Sequence, residues 1–479
     1  MLTGISLQAI VGSIIFILYS ITISGLILVI ITENRNPLKT IPWVVVLLML
    51  PGLGLVFYFF FGQDNRKKRI ISRRTHKRIM KLPQEGKKPP HDSCTVPEGY
   101  TPLVNLLGHN HQCPLLYGSD ITIYTGGEDK FEALFEALEG ARHHIHIQYY
   151  IFMDDQTGRR VRDLLVAKAR AGVEVRLLYD DVGCWDVKKG FFRDMKAAGI
   201  EVYAFLKVAF PVLTSKVNYR NHRKIVVVDG KTGFMGGMNV ADRYLKGNSL
   251  GKWRDTHFKF TGKGVYGLQS AFLIDWYVVS KKLLNDSVYY PPLPALGDNI
   301  MQILTSGPVG QWRTLLQAVI FIIANAKNYV YIQTPYFLPT EGLNQALQAA
   351  ALGGVDVRLM LPKRSDTKAV NMASHSFIDD MVKAGARVFL YDMGFMHSKL
   401  VVSDDMLTCI GSANMDFRSF EHNFEITAFV YQGDFARQMK KIFLHDMQYC
   451  EKLVSSRWLK RPLRLRIAES FMRLFSPLL

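Results

Sequence analysis

The chain has 479 residues, a net charge of +18 from 59 Lys and Arg against 41 Asp and Glu, and 48% hydrophobic residues with only 21% charged ones. That excludes a disordered polyelectrolyte, and at roughly 100 to 200 residues per domain it allows two or three domains with full cores. A strongly basic balance points to nucleic acid or to an anionic membrane surface, and where the charge sits decides between them.

From Met1 to Thr32 there is no Asp, Glu, Lys or Arg. This run exceeds both the roughly 20 apolar residues that cross the hydrocarbon core and the apolar stretch of a signal peptide. After the connector Glu33 to Lys39, a second uncharged run extends from Thr40 to Gln63, with Trp43 near one edge and Tyr58-Phe59-Phe60-Phe61 near the other. Both read as transmembrane helices with aromatic residues at the interfaces, so residues 1–63 are expected to form a hairpin. Residues 66–88 carry eleven Lys or Arg against the single Glu85. By the positive-inside bias this side is cytoplasmic, two spans put both termini there, and residues 64–110 form a basic juxtamembrane linker.

Beyond it, short β-rich runs alternate with longer helical ones, the pattern of an α/β sandwich. The pattern is duplicated. Ile145-His146-Ile147-Gln148-Tyr149 resembles Val330-Tyr331-Ile332-Gln333-Thr334; Ala171-Gly172-Val173-Glu174-Val175 resembles Gly353-Gly354-Val355-Asp356-Val357; Ala198-Gly199-Ile200-Glu201-Val202 resembles Ala384-Gly385-Ala386-Arg387-Val388. The same elements recur in the same order, which predicts two homologous halves, 111–295 and 296–455, joined at the Pro-rich Tyr289 to Pro294. His143, His144 and His146 open a strand, where only alternate residues share a face, and read as surface or core histidines rather than metal ligands. The five cysteines, Cys94, Cys113, Cys184, Cys409 and Cys450, form no CxxC pair and read as buried thiols in a reducing compartment.

Each half closes on the same constellation. His222-Arg223-Lys224 is followed by Asp229, Gly236-Gly237 and Asn239; His397-Ser398-Lys399 is followed by Asp404, Gly411-Ser412 and Asn414. From each His the Lys lies at +2, the Asp at +7, the Gly at +14 and the Asn at +17, and an Arg recurs at +21 as Arg243 and Arg418. A purely structural repeat would retain apolar positions rather than these. His-x-Lys runs into Ile225 to Val228 or Leu400 to Ser403, strand sequence on which residues two apart point the same way. Two such sets facing each other make a phosphate site of imidazoles, ammonium groups and amides. One imidazole can attack phosphorus while the other moves protons, with charge stabilised by the lysines and amides. No HExxH, EF-hand loop or GxxxxGK[ST] occurs, so neither a metal nor a nucleotide cofactor is expected.

These residues identify the chain as a member of the phospholipase D superfamily, whose HxKxxxxD motif occurs here twice. Within it the chain most resembles the bacterial cardiolipin synthases. Asn36-Pro37, Ile41-Pro42-Trp43, Gly411-Ser412-Ala413-Asn414-Met415-Asp416-Phe417-Arg418-Ser419 and the ending Ser476-Pro477-Leu478-Leu479 carry that closer match. The resemblance implies a duplicated phospholipase D-like α/β sandwich in the bacterial inner membrane that joins two phosphatidylglycerol molecules into cardiolipin plus glycerol through a phosphohistidine. It implies catalytic His222, Lys224, Asp229, His397, Lys399 and Asp404, with the two aspartates more often structural. His222 would be the nucleophile and His397 the acid/base, an order the near-identical motifs do not themselves fix. It further implies phosphate binding by Asn239, Ser412 and Asn414, and Asp255 and Glu425 as the carboxylates that orient the histidines. The first half departs from the second in having Gly237 where the second has Ser412. A membrane-bound hydrolase and a tethered nuclease use the same chemistry; intact His-x-Lys pairs argue against a dead scaffold, and the hairpin argues for lipid over nucleic acid. No residue pattern specifies an oligomeric state.

Two membrane-seeking segments remain. Leu206 to Arg220, with Val208-Ala209-Phe210-Pro211-Val212-Leu213 between Lys207 and Lys216, lengthens the first half and is expected to touch the bilayer. In residues 456–479, basic residues interleave with Leu463, Ile467, Phe471 and Leu474 at helical spacing, the pattern of a helix lying in the lipid interface. Residues 66–88 carry a net +10 and residues 457–473 a net +5, leaving +3 for everything else. The charge thus flanks membrane-seeking segments and does not form a nucleic-acid footprint.

Overall fold

The computed structural model describes residues 7–32, 37–50, 52–62, 78–79, 95–111, 113–208 and 218–479. The connector 33–36, Cys94, nearly all of the basic strip 66–88 and the apolar centre of the 206–220 loop lie outside the described residues.

In the N-terminal unit, which runs to Asn65, the first predicted span is a helix, Leu7–Thr32. Its stretch Ile10–Thr32 is, among the described residues, the one helix long and apolar enough to cross a bilayer. The second predicted span differs from expectation. Instead of one helix over Thr40 to Gln63 there is a helix Pro37–Met49, a break, a short helix Leu53–Phe57 and a π-turn Tyr58–Gly62. The break follows Leu50, and Gly52 opens the next helix at φ 76°, a left-handed backbone that glycine adopts without a Cβ penalty. The pieces still pack on the first helix: Tyr19 donates to the Leu47 carbonyl at 2.9 Å, and Ile23, Ile30, Leu47 and Tyr58 share a buried cluster.

The rest of the chain is built on one 15-stranded sheet. The first half contributes Leu116–Tyr124, His144–Tyr149, Glu174–Asp180, Glu201–Phe205, Ile225–Val228, Thr232–Gly236 and His257–Gly262. The second contributes Asn299–Ser306, Tyr329–Gln333, Asp356–Pro362, Arg387–Tyr391, Leu400–Ser403, Leu407–Gly411 and Glu425–Val430, then an extra edge strand, Cys450–Lys452. Leaving that edge strand aside, the spatial order within the two halves is the same. They join where Leu116–Tyr124 runs antiparallel to Asn299–Ser306, with Leu116 opposite Met301. Helices Val265–Ser280 and Gly433–Met447 cover one face, and their Phe272, Trp276, Met439 and Phe443 belong to a single core that runs under both halves. The opposite face carries separate cores for each half, which is the layered α/β sandwich expected.

The histidine run is part of this interior. His144 and His146 are fully buried on one face, linked through Gln269 at 3.3 and 2.8 Å, and His146 stacks on Phe272 with ring centroids 4.5 Å apart. Cys113, Cys184 and Cys409 are buried free thiols, and Cys450 is free and half-buried.

The motif aspartates explain how each half is pinned. Asp229 turns the chain out of Ile225–Val228 with φ 53°, and its carboxylate accepts the N–H groups of Arg142, His143 and His144 at 2.9, 2.8 and 2.9 Å. Asp404, φ 52°, does the same for Lys327, Asn328 and Tyr329 at 2.7, 2.9 and 2.9 Å. Each aspartate therefore fixes the hairpin behind its His-x-Lys to the start of the adjacent strand. Burial raises the Asp229 pKa, but the three N–H groups more than offset it, leaving it below 3.8. Its stabilisation is complete above that value and lost as pH falls through the lowered one. Asp229→Ala is expected to cost about 3 kcal/mol, read by chemical denaturation, because it strips three charge-assisted hydrogen bonds.

Candidate active site

His222 and Lys224 lie just before the strand Ile225–Val228, and His397 and Lys399 just before Leu400–Ser403. The sequence reading put them on those strands; in the fold they are the approach to them, and this lets each pair reach the other half. His222 N donates to the Phe424 carbonyl at 2.9 Å, and Phe424 N to Arg220 O at 2.8 Å. The mirror arrangement has Gly394–Met396 parallel to Lys252–Arg254, with His397 N donating to Arg254 O at 2.7 Å.

The exchange brings each imidazole to a carboxylate from the opposite half. His222 Nδ1 lies 3.1 Å from both Glu425 oxygens, and His397 Nδ1 lies 2.6 Å from Asp255 Oδ2. With Nδ1–H donated to the carboxylate, Nε2 is the nitrogen left to act. Lys224 Nζ donates to the His222 carbonyl at 2.6 Å, and Lys399 Nζ to the His397 carbonyl. All six side chains are buried.

Burial dominates the electrostatics. It pushes His397 down to about 3, with Lys399 adding and Asp255 opposing, and it also lowers His222, against the pull of Glu425. Both imidazoles are therefore neutral at neutral pH, the form that is nucleophilic. For Glu425 burial acts upward, but His222, Lys224 and the Ser412 hydroxyl outweigh it and keep the group ionised. Burial lowers Lys399 to about 8, opposed by Asp255 and Glu425, and holds Lys224 well below 10.5.

The expected phosphate ligands are already partly engaged. Ser412 Oγ donates to Glu425 and accepts from Ile426 N at 3.0 Å, so its proton serves the carboxylate. Asn239 accepts from Ile151 N at 3.1 Å and donates to the Tyr244 hydroxyl at 2.7 Å; Asn414 donates to Asp416 at 3.0 Å. Each amide keeps one further N–H. The Gly237 departure has a steric cause: a Cβ there would sit 2.1 Å from Asp255 Oδ1. The shorter aspartate brings its carboxylate back to where the serine would stand, whereas the longer Glu425 leaves room for Ser412.

Several residues of the site carry no signal in the motif. Tyr150 stands edge-on to His222 at 4.9 Å, and Trp253 and Phe395 lie 5.1 and 5.7 Å from His397. Arg223 crosses between halves, donating to the carbonyls of Glu425 and Ser306 at 3.0 Å each while pairing with Asp275. Lys130 is fully buried behind the first half, 3.3 Å from the Tyr149 hydroxyl; burial lowers its pKa, and the Asp255 charge opposes that. Trp253 lies two residues before Asp255 in sequence, but Tyr150 and Lys130 lie far upstream of the motif, and only the fold brings them near.

Comparison with known proteins shows the family of the chain. A family model described as "Cardiolipin synthase, PLD-like domain" matches the chain twice, at residues 134–249 and 319–447, and one described as "Phospholipase_D-nuclease N-terminal" matches residues 21–63. The cardiolipin synthase of Geobacillus kaustophilus (strain HTA426) is 39% identical over 468 residues, covering 97% of this chain and 93% of the relative. The chain belongs to the cardiolipin synthase family. The major cardiolipin synthase ClsA of Bacillus subtilis (strain 168), 38% identical, aligns over 99% of the chain and all of the relative. Among solved structures, the phosphatidylserine synthase of Haemophilus influenzae Rd KW20 shares the fold, with a TM-score of 0.60 at 13% identity over 79% of this chain and 100% of that one. For this member of the cardiolipin synthase family, Glu425→Gln is expected to lower turnover by roughly 10² to 10⁴, because an amide can leave His222 in the wrong tautomer. Product formation at fixed folded-protein concentration checks it.

Proposed function

We propose that the chain transfers a phosphatidyl group between two phosphatidylglycerol molecules, giving cardiolipin and glycerol. The observation that carries this reading is the crosswise pairing of two buried imidazoles with carboxylates of the opposite halves, in a chain of this family that bears an apolar helix able to cross a bilayer. His222 Nε2 attacks phosphorus; the bond from phosphorus to the headgroup glycerol oxygen breaks, and His397 gives that oxygen a proton. The second phosphatidylglycerol then loses its terminal hydroxyl proton to His397, its oxygen takes the phosphorus, and the histidine–phosphorus bond breaks. One phosphodiester replaces another, so no activated nucleotide is required. The entering phosphate raises the pKa of the imidazole beside it, which allows a proton to be held where the free site holds none. Lys224 and Lys399 balance the charge on the five-coordinate phosphorus, and the spare amide hydrogens of Asn239 and Asn414 are directed to its oxygens. Asp255 and Glu425 orient the histidines, and Asp229 and Asp404 hold the scaffold.

The same reading takes residues 1–63 as a two-pass segment of a bacterial cell membrane, followed on the cytoplasmic side by 64–110 as a basic linker, 111–295 and 296–455 as the paired halves and 456–479 as a basic amphipathic ending. It takes anionic phospholipids rather than nucleic acid as partners.

Purified full-length protein incubated with headgroup- and acyl-labelled phosphatidylglycerol tests the proposal. Cardiolipin plus glycerol is expected; phosphatidic acid plus glycerol would replace the reading with a hydrolase, and no reaction with lipid would return a nuclease to consideration. His222→Ala and His397→Ala are each expected to abolish turnover, and activity retained in both would overturn the shared site. Lys399 loses its charge as pH rises through about 8. The free-enzyme profile of kcat/KM is therefore expected to fall on the alkaline side with an inflection near that value, and a profile flat across that region would contradict the role given to the lysine.

A further inference from the structure

Among the described residues, the last helix, Leu463–Arg473, is held on the catalytic unit by one face. That face meets the helix Lys368–Lys383. Glu469, 1% exposed, sits 3.2 Å from His375 and 2.7 Å from Arg461; Arg461 reaches Asp379 at 3.0 Å, and Arg473 reaches Asp380 at 3.0 Å while lying over the Phe377 ring. Trp458, just ahead of the helix, adds a 2.7 Å hydrogen bond to Asp379 and stacks under the Arg461 guanidinium. These contacts fix the rotation of the helix about its own axis.

The opposite face is apolar and uncovered. Leu463, Ile467, Phe471 and Leu474, at steps of four, four and three, are 70%, 60%, 58% and 73% exposed. Four large exposed apolar side chains in a row, on a helix whose other side is tied down by ion pairs, mark an interaction surface. The charge distribution names the occupant. Arg461 and Arg473 are turned inward onto acidic residues, whereas Arg457, Lys460 and Arg464 are exposed at the N-terminal end of the same segment. An apolar row with basic residues beside it matches an anionic lipid surface, with acyl chains for the row and headgroups for the cations.

We propose that this docked helix is a membrane-contact surface of the catalytic unit, separate from the N-terminal span, that rests the Leu463, Ile467, Phe471 and Leu474 row in an anionic leaflet. Because the helix is clamped to Lys368–Lys383, lipid contact here fixes the orientation of the whole unit and not merely its distance from the bilayer.

The test uses the full chain in nanodiscs of phosphatidylglycerol and phosphatidylcholine, with Phe471→Trp introduced as a reporter. Relative to the parent, the added emission is expected to fall about twofold when the lipids carry brominated acyl chains, and to be shielded from an aqueous quencher. Turnover on detergent-dispersed phosphatidylglycerol should match the parent, which shows that the variant folds. Replacing Arg457, Lys460 and Arg464 together with Gln is expected to reduce the bromine quenching to that seen in discs of phosphatidylcholine alone. An emission untouched by lipid bromines and open to the aqueous quencher would overturn the proposal, as would shielding that arises only when two copies of the chain share a disc. Undiminished quenching in the triple Gln protein would overturn the part played by anionic headgroups.

Discussion

The candidate site depends on one constraint: each motif imidazole must borrow its carboxylate from the other half. His222 with Glu425 and His397 with Asp255 are pairs that neither half can form alone. A buried imidazole without an acceptor for Nδ1–H would be free to change tautomer and turn, and the nitrogen facing phosphorus would be undefined. The continuous sheet supplies the rigidity this exchange needs. Because Leu116–Tyr124 pairs directly with Asn299–Ser306, the two halves share one hydrogen-bonded frame and one core, and their motif loops meet at a fixed separation.

Around that exchange the duplication is retained where it bears load. Gln148 and Gln333, matching positions of the two repeats, donate to Asp275 and Asp446 at 2.7 and 2.8 Å, and each aspartate also pairs with an arginine, Arg223 and Arg254, from positions that the repeat does not match. Asp229 and Asp404 each spend their carboxylates on three backbone N–H groups. The halves diverge in the surroundings of the orienting carboxylates. Glu425 receives a hydroxyl from Ser412, whereas Asp255 leaves no room for a side chain at Gly237 and acts on the buried Lys130 through its charge. Two imidazoles with the same local motif thus sit in different fields. Such a difference is what a nucleophile and a proton carrier need if they are not to exchange roles.

Placement of charge extends the same logic to the surface. The net +18 of the chain, read as a whole, fits a nucleic-acid binder; read by position, it collects in residues 66–88 and at the C-terminal end. In the folded chain even the latter strip is divided. Arg461 and Arg473 serve as struts to Asp379 and Asp380, and only part of the segment faces outward. Its helical period was legible because apolar residues at steps of four and three define a stripe. Which basic residues are struts was not, because that depends on acidic partners some eighty residues earlier in the chain.

Resemblance to the superfamily pointed to Asp255 and Glu425, and the amino-acid sequence by itself determined the two halves, the twin His-x-Lys motifs with their Asp and Asn, and the apolar N-terminal segment. These are readable because repetition, spacing and hydrophobic period are local properties of a chain. Tertiary structure alone decided that the carboxylates are exchanged between halves, that Ser412 serves Glu425, that the second apolar run breaks after Leu50, and that Lys130 is buried within the field of Asp255. Each of those facts is a distance between residues remote in sequence, or a competition between a helix and its breaker, and such outcomes are fixed only when the whole chain is packed.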